Sequence, residues 1–499
     1  MTNKSLILTV SIIALLSTSG AEAFAATDLD AEIQKLESEV KALQKQVNDL
    51  KAAERKQAKN NPQAAISTPQ PAIAAAPSNA GTPAPASPAL AQTIVPIIPG
   101  GTAAGQPATE PLTGSKLDYN NRRGISFISP DGKNSVTVRG YGQVDGRFPI
   151  ADRAGNDQSE FLIRAARPVF LATSGDASFR FMPEFAGSTP KVYDLYADYH
   201  FSDPLNIRVG KDKTPIGLER LVIDNEQEFV ERGLPTNLVP NRDVGVNLFG
   251  SLIPELDYRV GVVDGAYDLQ NNDADTDGGK DIVGRLFTHP FKRAGIDALK
   301  GLGFGIAGST GQHDGTAKNP ELPSYLTMSQ VAFFNYGSTV IADGTNWRLS
   351  PQGYYYYGPF GLLAEYVEST TDVSKGSAHG NIANRAWQVE TSYVLTGENV
   401  DYHSVVPDEP FDIHKGTWGA FELVGRYGEL KIDGSAFPVF ASAATSAREA
   451  REWVGGLNWY LNYNMKFNID YANTNFSGGA VGGDRQTERT ILSRVQYKF

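Results

Sequence analysis

From Lys116 to Phe499 the chain alternates between apolar and polar residues in short runs. Val136, Val138, Gly140, Gly142 and Val144 fall on one face of an extended segment, with Thr137, Arg139, Tyr141, Gln143, Asp145 and Arg147 on the other. Tyr193, Leu195, Ala197, Tyr199 and Phe201 alternate with Val192, Asp194, Tyr196, Asp198 and His200. Trp453 to Leu461 repeats the pattern, and the last run sets Ile491, Val495, Tyr497 and Phe499 against Leu492, Arg494, Gln496 and Lys498. A period of two over about 8–10 residues predicts strands with one apolar and one polar face. In several segments the apolar face ends in Tyr, Trp or Phe, as membrane-interface girdles require. The polar faces carry Arg, Lys, Asp and Glu, which a packed sandwich core would leave buried and unpaired. A water-filled lumen tolerates them. Dividing the 384 residues from Lys116 to Phe499 by about 24 per spanning strand with its share of loop predicts sixteen strands, a water-channel size. The expected fold is all-β, a 16-stranded antiparallel transmembrane β-barrel over 116–499.

Two different patterns precede it. Leu29, Ile33, Leu36, Val40, Leu43, Val47 and Leu50 recur at steps of four and three, an a/d seam predicting a coiled-coil helix over 28–59. Its narrow apolar stripe calls for a partner, another copy of the chain or a periplasmic surface. The β-branched residues at a with Leu at d favour two strands in an isolated coil, although an attached domain can impose its own symmetry. Residues 60–115 then read as an extended Pro/Ala-rich linker, since 11 of the 29 prolines fall between Asn61 and Pro111. At the very start Lys4, the apolar run Leu6–Leu16 and Ala21-Glu22-Ala23 form a signal-peptide pattern over 1–23. The apolar run is too short for a spanning helix, which needs about 20 residues.

Composition narrows the function. With no Cys there is no disulfide framework, thiol nucleophile or Cys-ligated metal. A net charge of −11 argues against a nucleic-acid partner. Fifty Gly and 21 Tyr suit β-structure.

Several segments resemble the phosphate-selective porin O and P family. They are Asn206–Glu219 followed by Phe229–Arg232, then Gly245–Gly250, Glu390–Glu398, Trp418–Tyr427, Gly456–Asn462 and Arg494–Phe499, in the family's order. The resemblance implies a homotrimeric outer-membrane channel in which arginines and lysines lead inorganic anions to a constriction. Arg164 and Arg167 lie where the family carries an Arg-Arg-x-Arg strand, with Ala165 in place of one arginine. Lys211, Lys213, Arg220, Arg232 and Arg242 surround an inward loop expected between Leu221 and Val244, which also holds Asp224, Glu226, Glu228, Glu231 and Asp243. Each of these cations has a competing reading as a lipopolysaccharide contact or a lumen-wall salt bridge. Lys116–Phe499 holds 37 basic and 47 acidic residues, so anion preference has to come from local placement.

Other chemistry is thinly represented. Asp273, Asp275, Asp277 and Gly278 fit the opening of a calcium loop, but its twelfth position is Gly284, so the closing bidentate ligand is missing. A solvated acidic loop is the expectation. The six His form no close pair, and no hydrolase, P-loop or dinucleotide motif is present. The sequence therefore predicts no enzyme, no cofactor and no metal site. It predicts a porin of the outer membrane with a periplasmic N-terminal region, passing small hydrophilic solutes, phosphate or pyrophosphate among them. Two rivals stay open: a general or cation-tolerant porin, and an envelope tether that engages the cell wall or a periplasmic partner through its coil.

Overall fold

The structure is a computed structural model that describes residues 116–120, 122–151 and 158–499, with Lys45 alone before them. The signal peptide, coiled coil and linker expected over 1–115 lie outside the described residues. The described residues from 116 onward belong to one compact unit, and all that follows concerns them.

A short hairpin, β1 (Lys116–Asn120) and β2 (Gly124–Ile128), leads into β3 (Asn134–Ala151). Then come β4 (Glu160–Ser174), β5 (Ala177–Glu184), β6 (Lys191–Ser202), β7 (Leu205–Lys213), β8 (Arg242–Ile253), β9 (Leu256–Val263), β10 (Asp281–Thr288) and β11 (Leu302–Asp314). A two-stranded insert, β12 (Ser324–Leu326) and β13 (Ala332–Asn335), precedes β14 (Ile341–Tyr357), β15 (Phe360–Lys375), β16 (Ala378–Val394) and β17 (Ala420–Lys431). The series ends with β18 (Ala447–Tyr460), β19 (Met465–Ala480), the fragment β20 (Gly483–Asp484) and β21 (Glu488–Lys498). Leaving aside β1, β2, β12, β13 and β20, each strand pairs antiparallel with the next, and β21 pairs with β3. This closes a barrel of sixteen strands. Closure leaves no unpaired edge, the condition for crossing hydrocarbon with strands.

Burial is inverted relative to a water-soluble protein. Val136, Val144, Phe161, Ile163, Tyr199 and Phe201 are exposed on the outer face, while Gln143, Asp145, Arg208, Gln388, Glu422, Asp470 and Arg494 are buried inside. An outer face of that kind is stable only against lipid. The alternation read from the sequence is thus the in–out alternation of a membrane barrel.

Several register shifts break it, and two of them bear on the lumen. Between β3 and β4, Gln143 pairs with Ala165 and Val144 with Ile163, so Arg164 is an extra residue. Between β5 and β6, Met182 pairs with Asp194 and Pro183 with Val192, so Tyr193 is extra. Such bulges re-aim a side chain. Tyr193, expected on the apolar outer face with Leu195, instead turns inward, its ring 4.0 Å from the Arg167 guanidinium and 4.3 Å from that of Arg242.

At the rim holding Phe499 the turns are mostly tight, as at Gly175–Asp176 and Gly358–Pro359, with residues 289–301 and 395–419 the longer exceptions. Long connections at the other rim include 214–241, 264–280, 315–340 and 432–446. Segments 214–241, 315–340 and 395–419 fold into the lumen. An apolar core forms there from Ile216, Leu234 and Leu238 of the first and Tyr325, Phe333 and Phe334 of the second, packed on Val367, Ile382, Ala386 and Leu430 of the wall. Tyr402 and Val405 of the third pack with Leu218 and Val222.

Candidate functional site

The inward loop runs over 214–241. It starts earlier than the expected Leu221, and Asp243 belongs to β8 rather than to the loop. The reason is Gly217, whose φ of 78° turns the chain off the wall directly after β7. A second glycine permits close docking, because a Cβ on Gly233 would lie 1.9 Å from Gln388 Oε1.

The loop rests on the β15–β19 wall, which is acidic. Glu365 accepts from the Leu218 N–H at 2.6 Å and from the Glu219 N–H at 3.3 Å; Asp470 accepts from the Val230 N–H at 2.7 Å. Glu452 accepts from the Met328 N–H of segment 315–340 at 3.4 Å. Arg426 is a central cation of this wall, with Glu219 at 3.1 Å, Glu390 at 3.5 Å and Glu452 at 3.6 Å, and its guanidinium 4.4 Å from the Phe229 ring centre. These carboxylates satisfy loop amides that would otherwise be buried without partners. None of Glu365, Glu452 and Asp470 lines the two cavities beside Asp224, whereas Glu219 and Glu390 line a separate small cavity of about 20 Å³.

The loop carbonyls are held by donors of β3, β19 and β21. Gln143 donates to Asp224 O at 3.0 Å, Gln496 to Asn225 O at 2.8 Å and Lys466 to Gln227 O at 2.6 Å. The loop tip therefore spans the lumen to β3, β19 and β21. A cavity of about 110 Å³ opens beside it, lined by Arg164, Arg167, Arg220, Arg232 and Arg494 with Tyr193, and by only two acids, Asp224 and Glu231. A smaller cavity of about 60 Å³ is lined by Arg122, Arg139, Arg180 and Lys498 with the single acid Glu226. Ile223, Asn225 and Glu226 line the smaller one and Asp224 the larger, so the tip separates them.

Not every cation is equally available. Arg494 is clamped by Asp145 through two contacts of 2.7 Å, Arg164 meets Glu231 at 3.1 Å, and Arg180 meets Asp194 at 2.8 Å. Arg167 is held between Glu184 and Asp224. Arg220 donates to Thr236 O at 2.7 Å. Among the described residues Arg122, Arg139, Arg220 and Lys498 have no carboxylate within ion-pair distance.

Asp224 is the hub. It contacts Arg167, meets Arg232 at 2.6 Å and Lys213 at 3.2 Å, and lies 4.0 Å from Arg242. Burial alone would raise its pKa, but Lys213, Arg167, Arg232 and Arg242 outweigh that and hold it well below the usual carboxylate range.

Of the cations singled out in the sequence, Arg164, Arg167, Arg220 and Arg232 come together around the larger cavity. Lys213 and Arg242 sit behind it: Lys213 caps Arg220 O and Val222 O, and Arg242 pairs with Asp194 at 2.8 Å. Lys211 points elsewhere, to Asp273 of segment 264–280. Ala165, where the resemblance implies an arginine, is buried with Tyr141, Val169 and Met182. Sequence reasoning missed Arg122, Arg139, Arg180, Arg494 and Lys498. Arg139, Arg494 and Lys498 were legible as polar-face residues of their strands, but nothing in one strand shows which others it meets across a barrel.

A closed transmembrane barrel narrowed by an inward loop, with charged cavities on either side of the tip, is a porin, a channel of the outer membrane. The chain belongs to the family described as phosphate-selective porin O and P, which matches residues 136–499. Among solved structures it is similar to the outer membrane channel DcaP of Acinetobacter baumannii, at 13% identity and a TM-score of 0.49 over 75% of this chain and 99% of that one. It is also similar to the anion-selective porin from Comamonas acidovorans (11% identity, TM-score 0.48, 73% and 100% coverage) and to OmpT of Vibrio cholerae (11%, 0.47, 74% and 98%). No curated protein matches the chain.

Proposed function

We propose that the channel passes small inorganic anions, phosphate or pyrophosphate among them, by passive diffusion along its β3–β5/β21 side. The observation that carries this reading is the division of charge across the lumen. Glu365 and Asp470 of the β15–β19 wall are bonded to loop amides, and Glu390 and Glu452 stand beside Arg426, while the two cavities flanking the tip at Asp224 are lined mainly by arginine and lysine; the acids gather instead in a separate cavity of about 20 Å³ lined by Glu219, Glu226, Glu228, Glu390 and Asp401. A net charge of −11 is therefore compatible with an anion path. Arg presents a planar fork to phosphate oxygens, and a succession of moderate seats lets an ion enter and leave. Arg220 stands at one side of the loop tip, and Arg139, Arg122 and Lys498 at the other.

One observation favours the general-porin alternative: Asp224 and Glu231 already neutralise part of the basic side. Reversal potential in a salt gradient separates the two. Anion selectivity with block by millimolar phosphate supports the proposal; cation selectivity with no block refutes it. On the same reading residues 1–23 direct export, 28–59 form a periplasmic coiled coil on the 60–115 spacer, and the protein assembles as a homotrimer among lipid and lipopolysaccharide. Tethering to the cell wall is tested by deleting 28–59: lost envelope integrity with unchanged conductance makes tethering the main role of that segment.

A further inference from the structure

The acidic run that resembled an incomplete calcium loop has a different partner from the one its spacing suggested. Asp277 meets His313 at the end of β11 and Glu321 in segment 315–340, with ligand-capable atoms of all three within 4.8 Å of one another. His313 and Glu321 are almost fully buried. Their facing atoms, His313 Nδ1 and Glu321 Oε2, are 3.6 Å apart, and neither has a hydrogen-bond partner.

The surroundings orient both atoms. His313 Nε2 lies 3.1 Å from Asp281 Oδ1, and Asp281 is in turn held by Arg348 at 3.2 Å. A ring that gives its Nε2–H to a carboxylate directs the Nδ1 lone pair outward, the arrangement that supports metal-bound histidines. Glu321 has its other oxygen occupied by Thr276 and by Asn319 at 3.1 Å, leaving Oε2 free. Asp277 is fixed by the N–H groups of Gly279 at 2.8 Å and Asp314 at 3.0 Å. Charge points the same way. Arg348 is committed to Asp268 and Asp281, and among the described residues no Lys or Arg lies within ion-pair distance of Asp277 or Glu321.

We propose that Asp277, His313 and Glu321 bind one divalent transition-metal cation of zinc type. Nitrogen and oxygen ligands each about 2.1 Å from a tetrahedral zinc stand about 3.4 Å apart, close to the observed separation of Nδ1 and Oε2. An imidazole ligand selects such a cation over calcium or magnesium. Asp277 and Glu321 come from two different rim segments, so the cation fastens 264–280 to 315–340. The second segment also supplies Leu326, Thr327 and Gln330 to the larger cavity, which couples the site to the neck.

The test uses the full chain in detergent, stripped with chelator and titrated calorimetrically with zinc chloride alone. One saturable site per chain is expected, weakened at least about tenfold by Glu321→Gln and unchanged by His414→Gln, which removes an exposed histidine elsewhere. No saturable binding below about 100 µM, or binding indifferent to Glu321→Gln, overturns the proposal and leaves a proton in the metal's place. X-ray absorption on the zinc-loaded native chain decides independently of any variant's folding. One imidazole among oxygen ligands supports the site; no imidazole, or more than one, overturns it.

Discussion

Replacing Asp224 by Ala removes the one carboxylate shared by Arg167, Lys213 and Arg232. That carboxylate occupies the cationic cradle a permeating anion would use, as a resident counter-ion fixed to the loop. A permeating anion about 5 Å away is repelled by about 1 kcal/mol at the dielectric of water and by about 3 kcal/mol at an effective value near 20. Removing the charge should therefore raise anion occupancy between about fivefold and two-hundredfold. Mobile ions screen beyond about 8 Å at physiological salt, and the cavity is open to water, so the lower end is expected. The cations keep other partners, Arg167 on Glu184 and Lys213 on two carbonyls, so the barrel should remain folded. The assay is reversal potential across a planar bilayer in a potassium chloride gradient, with phosphate block of chloride current as a second reading. Asp224→Ala should move the potential toward the anion limit and lower the blocking phosphate concentration about fivefold. An unchanged potential, or a shift toward cations, refutes the placement of Asp224 in the ion path.

Three further outcomes follow from the same geometry. Arg167→Ala leaves Asp224 and Glu184 short of a cation and should shift the reversal potential toward cations. Asp470→Leu removes the acceptor of the Val230 N–H; a hydrogen bond to a charged group contributes about 1.5–3 kcal/mol, so amide exchange near Val230 should accelerate while the barrel strands keep their protection. The last concerns pH. His403 Nδ1 lies 2.8 Å from Glu226, fixing segment 395–419 beneath the loop tip. Burial would lower the His403 pKa, but the Glu226 hydrogen bond and charge outweigh it and raise it. Burial would raise that of Glu226, but His403 outweighs it and lowers it. A raised histidine stabilises fully below its unfolded value of about 6.5, and that contribution is lost as pH rises through the folded value. A depressed carboxyl stabilises above about 4.3, and its contribution is lost as pH falls through the folded value. Relative to the intrinsic exchange rate at each pH, amides of segment 395–419 should thus be best protected between those limits and less protected in alkali, and His403→Gln should abolish that alkaline loss of protection.

The barrel was legible because its strands face two solvents, lipid and water, and so keep strict alternation. The neck was less so. Arg164 and Tyr193 reach it only through bulges, and a single extra residue reverses facing without altering composition. The acidic surplus of 116–499 read in sequence as an objection to anion passage, and nothing in it marked Glu365 and Asp470 as acceptors for the inward loop. Their attachment to amides of Leu218, Glu219 and Val230 is a contact between segments far apart in the chain, which periodicity cannot register. The same limit hid the meeting of Asp277, His313 and Glu321.

The central claim is that open cations line one side of the lumen while the acids of the other are occupied by the loops. Crystals soaked in bromide, and separately in rubidium, report it by anomalous scattering. Bromide beside Arg220 and Arg139, with no rubidium along Glu365, Glu390 and Asp470, is the predicted result. Rubidium on those carboxylates, with bromide absent from both cavities, would contradict it.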